Sequence, residues 1–444
     1  MESIEGANSG STTVREHSNK SNSPDPLWGD EWIDTYLEVG SEHSYHNEPP
    51  LIAFMFALLG QSVRHGYFMR DSSRVNVRVH PTIIQPSQTG KGETTDFAEK
   101  VGRKAGINFK DIAGKPSDAA FVETKDEDGE SIPGLADKGN ILMFREFGDV
   151  LSGSQQGWAE DLHSFFIHVY DGKPMSVVRS GETRSMHPIA SVVGTCTPPP
   201  ADEVDVEKLF GSGLMARPLY FYRDIGTDIR RQIENDIFEG VANPSEEKST
   251  ERRIEQIAAT LEEIRSSINE GTVGPRFEFN EDAVWHIQEA LRDIHDETLD
   301  EASPQIVELI GPARTKYILH SFRIACLMAS LDECSTTVNE AHAERAMEYV
   351  RLSWTQLMDF LENHMAGDRS GTERKLSNVF SVQKAVQSAG GSMTQSELID
   401  EVGKSRPVVR SAAKFLIDQG RLEESGGSGR GNVKRYSLKV KGER

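Results

Sequence analysis

Apolar positions along the chain change period several times, and those changes divide it into regions. Trp28, Trp32 and Tyr36 recur at helical spacing in WGDEWIDTYLEV, which predicts a helix packed on a larger body rather than an aromatic ligand box. The run PPLIAFMFALLGQSV predicts a second helix, buried on all sides. Between residues 75 and 222, short apolar runs bounded by turns alternate with helical stretches. VRVHPTIIQP, GNILMFREF, HPIASVVGTCTP and ARPLYFYRD read as strands of an α/β sheet covered on both faces. From about 225 to 365 the pattern is helical throughout, and a polar break at 366–371 precedes a small terminal unit. In that unit 372–391, MTQSELIDEVG and 405–419 read as three helices, with Pro407 in the first turn of the last, and VKRYSLKV as a strand. Residues 1–26 carry almost no apolar side chains and are expected to be disordered, with 27–72 forming helices that pack on the core.

Composition narrows the classes. Apolar residues make up 36% and charged residues 27% of 444, enough for two to four domains with a sizeable core. The longest apolar run, Leu51 to Leu59, is about half of the ~20 residues that a membrane-spanning helix needs, so no membrane span is expected. The polar, acidic start predicts no export, and Cys196, Cys326 and Cys334 make neither a disulfide framework nor a paired-cysteine zinc site. A reducing, cytoplasmic setting follows as an expectation.

The formal charge is −21, and lysine (19) is scarcer than arginine (30), a balance that suits a salt-loving host or an ordinary acidic protein. The charge is uneven. From 371 to 444 there are 14 Lys plus Arg against 8 Asp plus Glu, a net of +6, so the remaining 370 residues carry −27. One end of an acidic molecule is basic, which directs attention to DNA at that end.

After VHPTII comes Gln85, then Pro86, Ser87, Gln88, Thr89, Gly90, Lys91, Gly92 and Glu93, leading into a helix. A strand, a tight loop and a helix N-terminus form a cup of backbone N–H groups that suits phosphate oxygens. Lys91 would reach the β- and γ-phosphates of ATP. The pattern G-x-x-x-x-G-K-[ST] is met only in part, because Gln85 replaces the first glycine and Gly92 stands where a hydroxyl should hold Mg²⁺. Thr95 lies one turn on, and the plain alternative is a loop that merely joins strand to helix. The strand ILMF ends at Arg145 and Glu146, where a Walker B strand has acids that hold Mg²⁺ and orient water. Glu146 suits the water-activating role; Arg145 replaces the usual Asp, and Asp149 is the candidate substitute for metal. Thr197, or else Thr195, ends the next strand and suits γ-phosphate sensing. Arg217 precedes a further strand, where it either reaches a neighbouring subunit's nucleotide or forms a surface salt bridge.

In this order the elements resemble the AAA+ helicase core of the MCM proteins, and equally plasmid and phage replication ATPases related to them and to superfamily 3 helicases. The likeness covers roughly residues 50–350. It implies an α/β, P-loop AAA+-like core at 73–225, a helical lid at 226–365 and a hexameric ring. Ser176-Val177-Val178-Arg179-Ser180-Gly181 has the form of the MCM hairpin strand whose basic residue faces DNA, so the resemblance gives Arg179 that role, with Lys173 and Arg184 behind it. Leu214-Met215-Ala216-Arg217 stands where Leu-Leu-Ser-Arg is usual, and Arg314 and Arg323 are the candidates for the sensor 2 arginine. Unlike in the MCM proteins, no zinc-bearing oligonucleotide-binding domain is expected ahead of the core within these residues.

Residues 371–444 read as a winged-helix DNA-binding domain. Arg406, Arg410 and Lys414 recur every four residues on one helix face, Val409, Ala413 and Leu416 on another, and Arg430 rides a glycine-rich wing. The expectation is an ATP- and Mg²⁺-dependent DNA motor or loader in replication of a plasmid, virus or integrated element. The rival is a DNA-binding initiator or regulator whose degenerate pocket holds nucleotide without turnover.

Overall fold

A computed structural model describes residues 25–44, 47–87, 89–112, 121, 124–125, 130–145, 147–148, 158–179, 182–198, 213–223, 230–231, 233–235, 238, 247–268, 274–302, 304–389, 392–402, 406–418, 421–425 and 434–438. Of the expected tail at 1–26, residues 1–24 lie outside these.

The chain opens with helices α1 (Gly29–His43) and α2 (Glu48–Ser62) and a hairpin of β1 (Tyr67–Arg70) and β2 (Ser73–Asn76). Then come β3 (Pro81–Ile84), α3 (Lys91–Lys104), β4 (Asn108–Asp111), the short pair β5 (Thr124–Lys125) and β6 (Ser131–Ile132), and β7 (Asn140–Phe144). Helix α4 (Trp158–Asp171) leads into a second hairpin, β8 (Met175–Arg179) and β9 (Glu182–Met186). Strands β10 (Ser191–Cys196) and β11 (Leu219–Tyr222) precede α5 (Glu247–Ile268), β12 (Arg276–Phe279), α6 (Glu281–Glu301), α7 (Pro304–Ser330), β13 (Thr337–Val338) and α8 (Glu340–Ser388). The chain ends in β14 (Ser392–Thr394), α9 (Gln395–Val402), α10 (Arg406–Asp418), β15 (Leu422–Ser425) and β16 (Arg435–Leu438).

The molecule is α/β. Five parallel strands form its main sheet in the order β11-β3-β10-β7-β4, and β3, β7, β10 and β11 are buried almost throughout, as a sheet covered on both faces requires. Helix α2 runs through the middle of the body. Pro49 and Pro50 sit in its first turn, where a missing N–H costs nothing, and Pro49 through Ser62 are all buried. It packs on β3, β10, α1 and α3. Trp32 and Tyr36 of α1 are fully buried and stacked, and Trp32 Nε1 donates to Ile257 O at 3.0 Å. Each such side chain contributes roughly 2–3 kcal/mol through burial, which is why the aromatic stripe is core.

Three expectations need correction. The stretch 225–365 is not helical throughout: β12 and β13 join β1 and β2 in a four-stranded sheet, order β13-β12-β1-β2, which ties residues before the main sheet to residues after it. These strands are two to four residues long, too short to show a period of two. Helix α5 belongs with α1, α2 and α3, on which it packs, so it is not part of a separate lid. One apolar cluster runs from Trp32 to Leu361, so 27–72, 73–225 and 226–365 share a core. Third, the polar break at 366–371 lies within α8, which continues to Ser388. Gly367 and Gly371 cost about 1 kcal/mol each in a helix interior, and no proline stands between Glu340 and Ser388 to stop it. Packing at both ends, Val350 to Leu361 in the main core and Val382 to Val386 in the terminal one, holds the helix through.

The terminal unit has its own apolar cluster, from Val382 to Tyr436. It contains a three-stranded antiparallel sheet, order β14-β16-β15, of which only β16 was legible beforehand. Thr394 caps α9: its hydroxyl accepts from Glu397 N at 3.3 Å, and Glu397 Oε2 accepts from Thr394 N at 2.8 Å. Val409, Ala413 and Leu416 of α10 are buried as their spacing predicts, while Arg410 and Lys414 are exposed.

Candidate functional site

From β3 the chain crosses to β4 at the far edge, returns through β7 and β10, and then places β11 on the other side of β3. Connections leave β3 in opposite directions, and in such sheets the crevice at the carboxyl ends of the strands is where ligands bind. Loop 85–90 crosses that crevice into α3. Gly90, at φ 79°, is the helix N-cap in the left-handed region, which a side chain would strain.

The loop is braced from within. Gln85, which replaces the expected glycine, is fully buried; its Nε2 donates to Thr89 Oγ1 at 2.7 Å, and Thr89 Oγ1 donates to Pro86 O at 2.7 Å. Asn47, just before α2, donates from Nδ2 to Thr89 O at 2.7 Å. Sequence reasoning missed both amides; a short side chain before a buried helix was the only signal for Asn47. Lys91 Nζ donates to Gln85 O at 2.8 Å and to Cys196 O at 3.4 Å, which places an ammonium between the ends of β3 and β10. Thr197, the expected sensing hydroxyl, is exposed and follows directly the Cys196 carbonyl that Lys91 reaches. Burial pushes the Cys196 thiol up to about 12 despite the nearby Lys91, so this cysteine is no nucleophile. Ser87 and Glu93 are exposed, and Glu93 lies in the first turn of α3. Gln88 is outside the described residues.

The departures on the metal side have structural correlates. Around Gly92 an added Cβ meets nothing within 4 Å, so the missing hydroxyl is not excluded by crowding. Thr95 Oγ1 donates to Lys91 O at 2.8 Å, inside the helix. Arg145 turns to the sheet edge, where Nε donates to Asp111 Oδ2 at 3.0 Å and the guanidinium lies 3.7 Å from Glu99. Thr195 Oγ1 donates to Arg145 O at 3.1 Å, which occupies that hydroxyl. Glu146 and Asp149 lie outside the described residues.

Two expected arginines lie at the opposite, amino end of the sheet. Arg323 is buried and donates from Nε to Asn76 O at 3.0 Å and from Nη2 to Tyr170 O at 3.1 Å, beside the start of β3. Burial lowers its guanidinium to about 10, and it cannot act as a sensor on a nucleotide held at the strands' carboxyl ends. Arg217 stands just before β11. Its Nε and Nη2 fork onto the Asp171 carboxylate at 3.1 and 3.2 Å, and Nη1 donates to Gly213 O at 2.6 Å. Lys316 of α7 donates to Asp171 Oδ1 at 3.0 Å. Burial alone would raise the Asp171 carboxyl, but the hydrogen bonds from Arg217 and Lys316 outweigh it and bring it down to about 2. Arg217 is thus a committed ion-pair partner, not a free finger. Asp171 and Lys316 were not anticipated: nothing in sequence distance links positions 171, 217 and 316. Arg314, the other lid candidate, lies near enough to His295 of α6 to lower its pKa, second to burial, with the imidazole at about 4.

The same end buries more base. Arg78 is lowered to about 9 by burial and by Arg323, and bonds to Arg64 O at 2.7 Å and Pro188 O at 2.5 Å. His80 and His320 are pushed down, chiefly by burial, His320 to about 3. His80 Nδ1 accepts from Val192 N at 3.1 Å, as a neutral ring can.

The DNA candidates are spread over two places. Lys173 is exposed at the foot of the β8–β9 hairpin, whose register pairs Arg179 with Glu182 and Arg184 with Val177. Arg179, Arg184 and Arg406 are located by backbone alone, and Arg430 is outside the described residues. Arg410 and Lys414 stand on the exposed face of α10, with Arg410 Nη2 at 3.4 Å from Gln395 Oε1. Among described residues no helix is long and apolar enough to cross a membrane. No family model matches the chain, and no curated protein matches it.

Proposed function

We propose that the protein is a nucleotide-dependent DNA motor or loader, an AAA+-like P-loop ATPase with a winged-helix terminus. The observation that carries the reading is the braced loop at the switch point of the parallel sheet. Its helix N-terminus and the Lys91 ammonium face the crevice where a triphosphate, ATP with Mg²⁺, is taken to sit. Thr197 would sense the γ-phosphate from the neighbouring strand end, and Glu146 would activate water. The exposed Arg410 and Lys414, on the basic end of an acidic chain, supply phosphate contacts to DNA. In a ring, Arg217 would reach a neighbouring subunit only after leaving Asp171, and the hairpin would couple turnover to DNA.

A second reading is favoured by one set of contacts. Gly92 offers no hydroxyl, Thr95 spends its own on the helix, and Arg145 is tied to Asp111, all on the metal side. On that reading nucleotide is a switching ligand of a DNA-binding initiator or regulator. ATP hydrolysis measured with and without single- and double-stranded DNA, over a range of salt, separates the two. DNA-stimulated turnover abolished by Lys91→Ala supports the motor. Nucleotide binding without turnover, unchanged by Glu146→Gln, supports the regulator.

A further inference from the structure

A site of another kind lies away from the crevice. Helix α6 presents His286, and the first two turns of α8 present Glu340 and Glu344, four residues apart on one helix face. One ligand atom from each of the three lies within 4.8 Å of the others. Arg345 beside them pairs with Asp30, and His342 caps its own helix through Asn339; the side chains of His286, Glu340 and Glu344 make no ion pair or hydrogen bond among the described residues. Two unpaired carboxylates at i and i+4 repel each other and weaken a helix, and a cation between them reverses that cost.

The geometry points to a divalent transition-metal site, best suited to zinc, formed by His286, Glu340 and Glu344. An ion central to three atoms at the 4.8 Å limit lies ~2.8 Å from each, and closing to the ~2.0–2.2 Å of zinc bonds takes less than ~1 Å per ligand, within side-chain adjustment. The imidazole selects for zinc over magnesium, which prefers oxygen and keeps its water. The remaining coordination position is open to solvent, since Glu340 and Glu344 are exposed and His286 is half-buried. The ion would clamp α6 to the first turns of α8, the helix that runs on into the terminal unit. It therefore acts as a structural staple at the root of that connection.

The test uses the full chain, stripped with chelator and returned to chelator-free buffer. Zinc is followed by calorimetric titration and by thermal unfolding. The wild type is expected to bind one equivalent more than His286→Ala or Glu344→Gln, and at ~100-fold excess over its dissociation constant to melt ~5 °C higher with zinc, with no rise in either variant. Magnesium at the same concentration is expected to shift none of the three. Equal zinc stoichiometry and equal melting shifts in wild type and both variants would overturn the proposal, as would a magnesium shift matching that of zinc. Both altered side chains reach solvent, and the two independent variants keep the result interpretable should one fold poorly.

Discussion

The two ends of the main sheet hold basic side chains under opposite conditions. At the carboxyl end Lys91 donates to the carbonyls of Gln85 and Cys196 beside the N-terminus of α3, while Arg145 is drawn off to Asp111 at the sheet edge. At the amino end Arg78, Arg323, Arg217 and Lys316 are sunk among carbonyls and one carboxylate, Asp171. The residue types are similar; their commitments differ. A cation held weakly at an open crevice can exchange its carbonyls for a ligand. One that forks onto a buried carboxylate has no comparable exchange without leaving that acid exposed to desolvation cost.

The largest expected effect comes from breaking the committed end. Asp171→Ala leaves Arg217 and Lys316 half-buried without their acid and should cost about 3 kcal/mol in a urea melt, while nucleotide affinity at the far end changes little. An unchanged midpoint would show that the fork is incidental. Acid probes the same end next. His80 and His320 are neutral when folded, with pKa values held down, and near 6.5 when unfolded, so unfolding takes up protons at acid pH. Their stabilisation is present above pH ~6.5 and is lost as pH falls below it, with two protons bound on unfolding by pH ~5. A proton uptake near zero, from the slope of stability against pH, would contradict their buried, neutral state.

Smaller effects sharpen the open side of the comparison. Arg410→Ala with Lys414→Ala should leave the fold intact, since both are exposed, yet weaken DNA binding about tenfold at low salt and reduce the salt slope by about 2. An unaltered slope would remove α10 from the DNA contact. Gly92→Thr is expected to raise Mg²⁺-dependent nucleotide affinity by a few fold, because the position has room for a side chain and lacks only the hydroxyl. Binding weakened by this change would mean that the loop seats its ligand differently.

What was legible in the sequence follows the same division. Long periodic segments announced themselves: α2 by its unbroken apolar run, α1 by its aromatic stripe, α10 by Val409, Ala413 and Leu416. So did the order of strand, loop and helix around Lys91, because local chemistry fixes a loop of six residues. Short strands did not, since β12 and β13 owe their existence to partners 59 or more residues away rather than to their own pattern. Commitments were illegible too. A salt bridge for Arg217 was one of the two sequence readings, but its partners were not legible, since only folding brings Asp171 and Lys316 together there. Gln85 looked like a lost glycine, whereas its buried amide donates to Thr89 and ties the strand end to the loop.

The central claim, that the braced loop with Lys91 holds a nucleoside triphosphate, is tested most directly by titrating ATP with Mg²⁺ into the wild type and Lys91→Ala. The account predicts saturable binding that weakens about 30-fold in the variant, as loss of charge-assisted hydrogen bonds to phosphate implies, with melting temperatures alike in the absence of ligand. Equal affinity in the two proteins, or no binding in either, would contradict it.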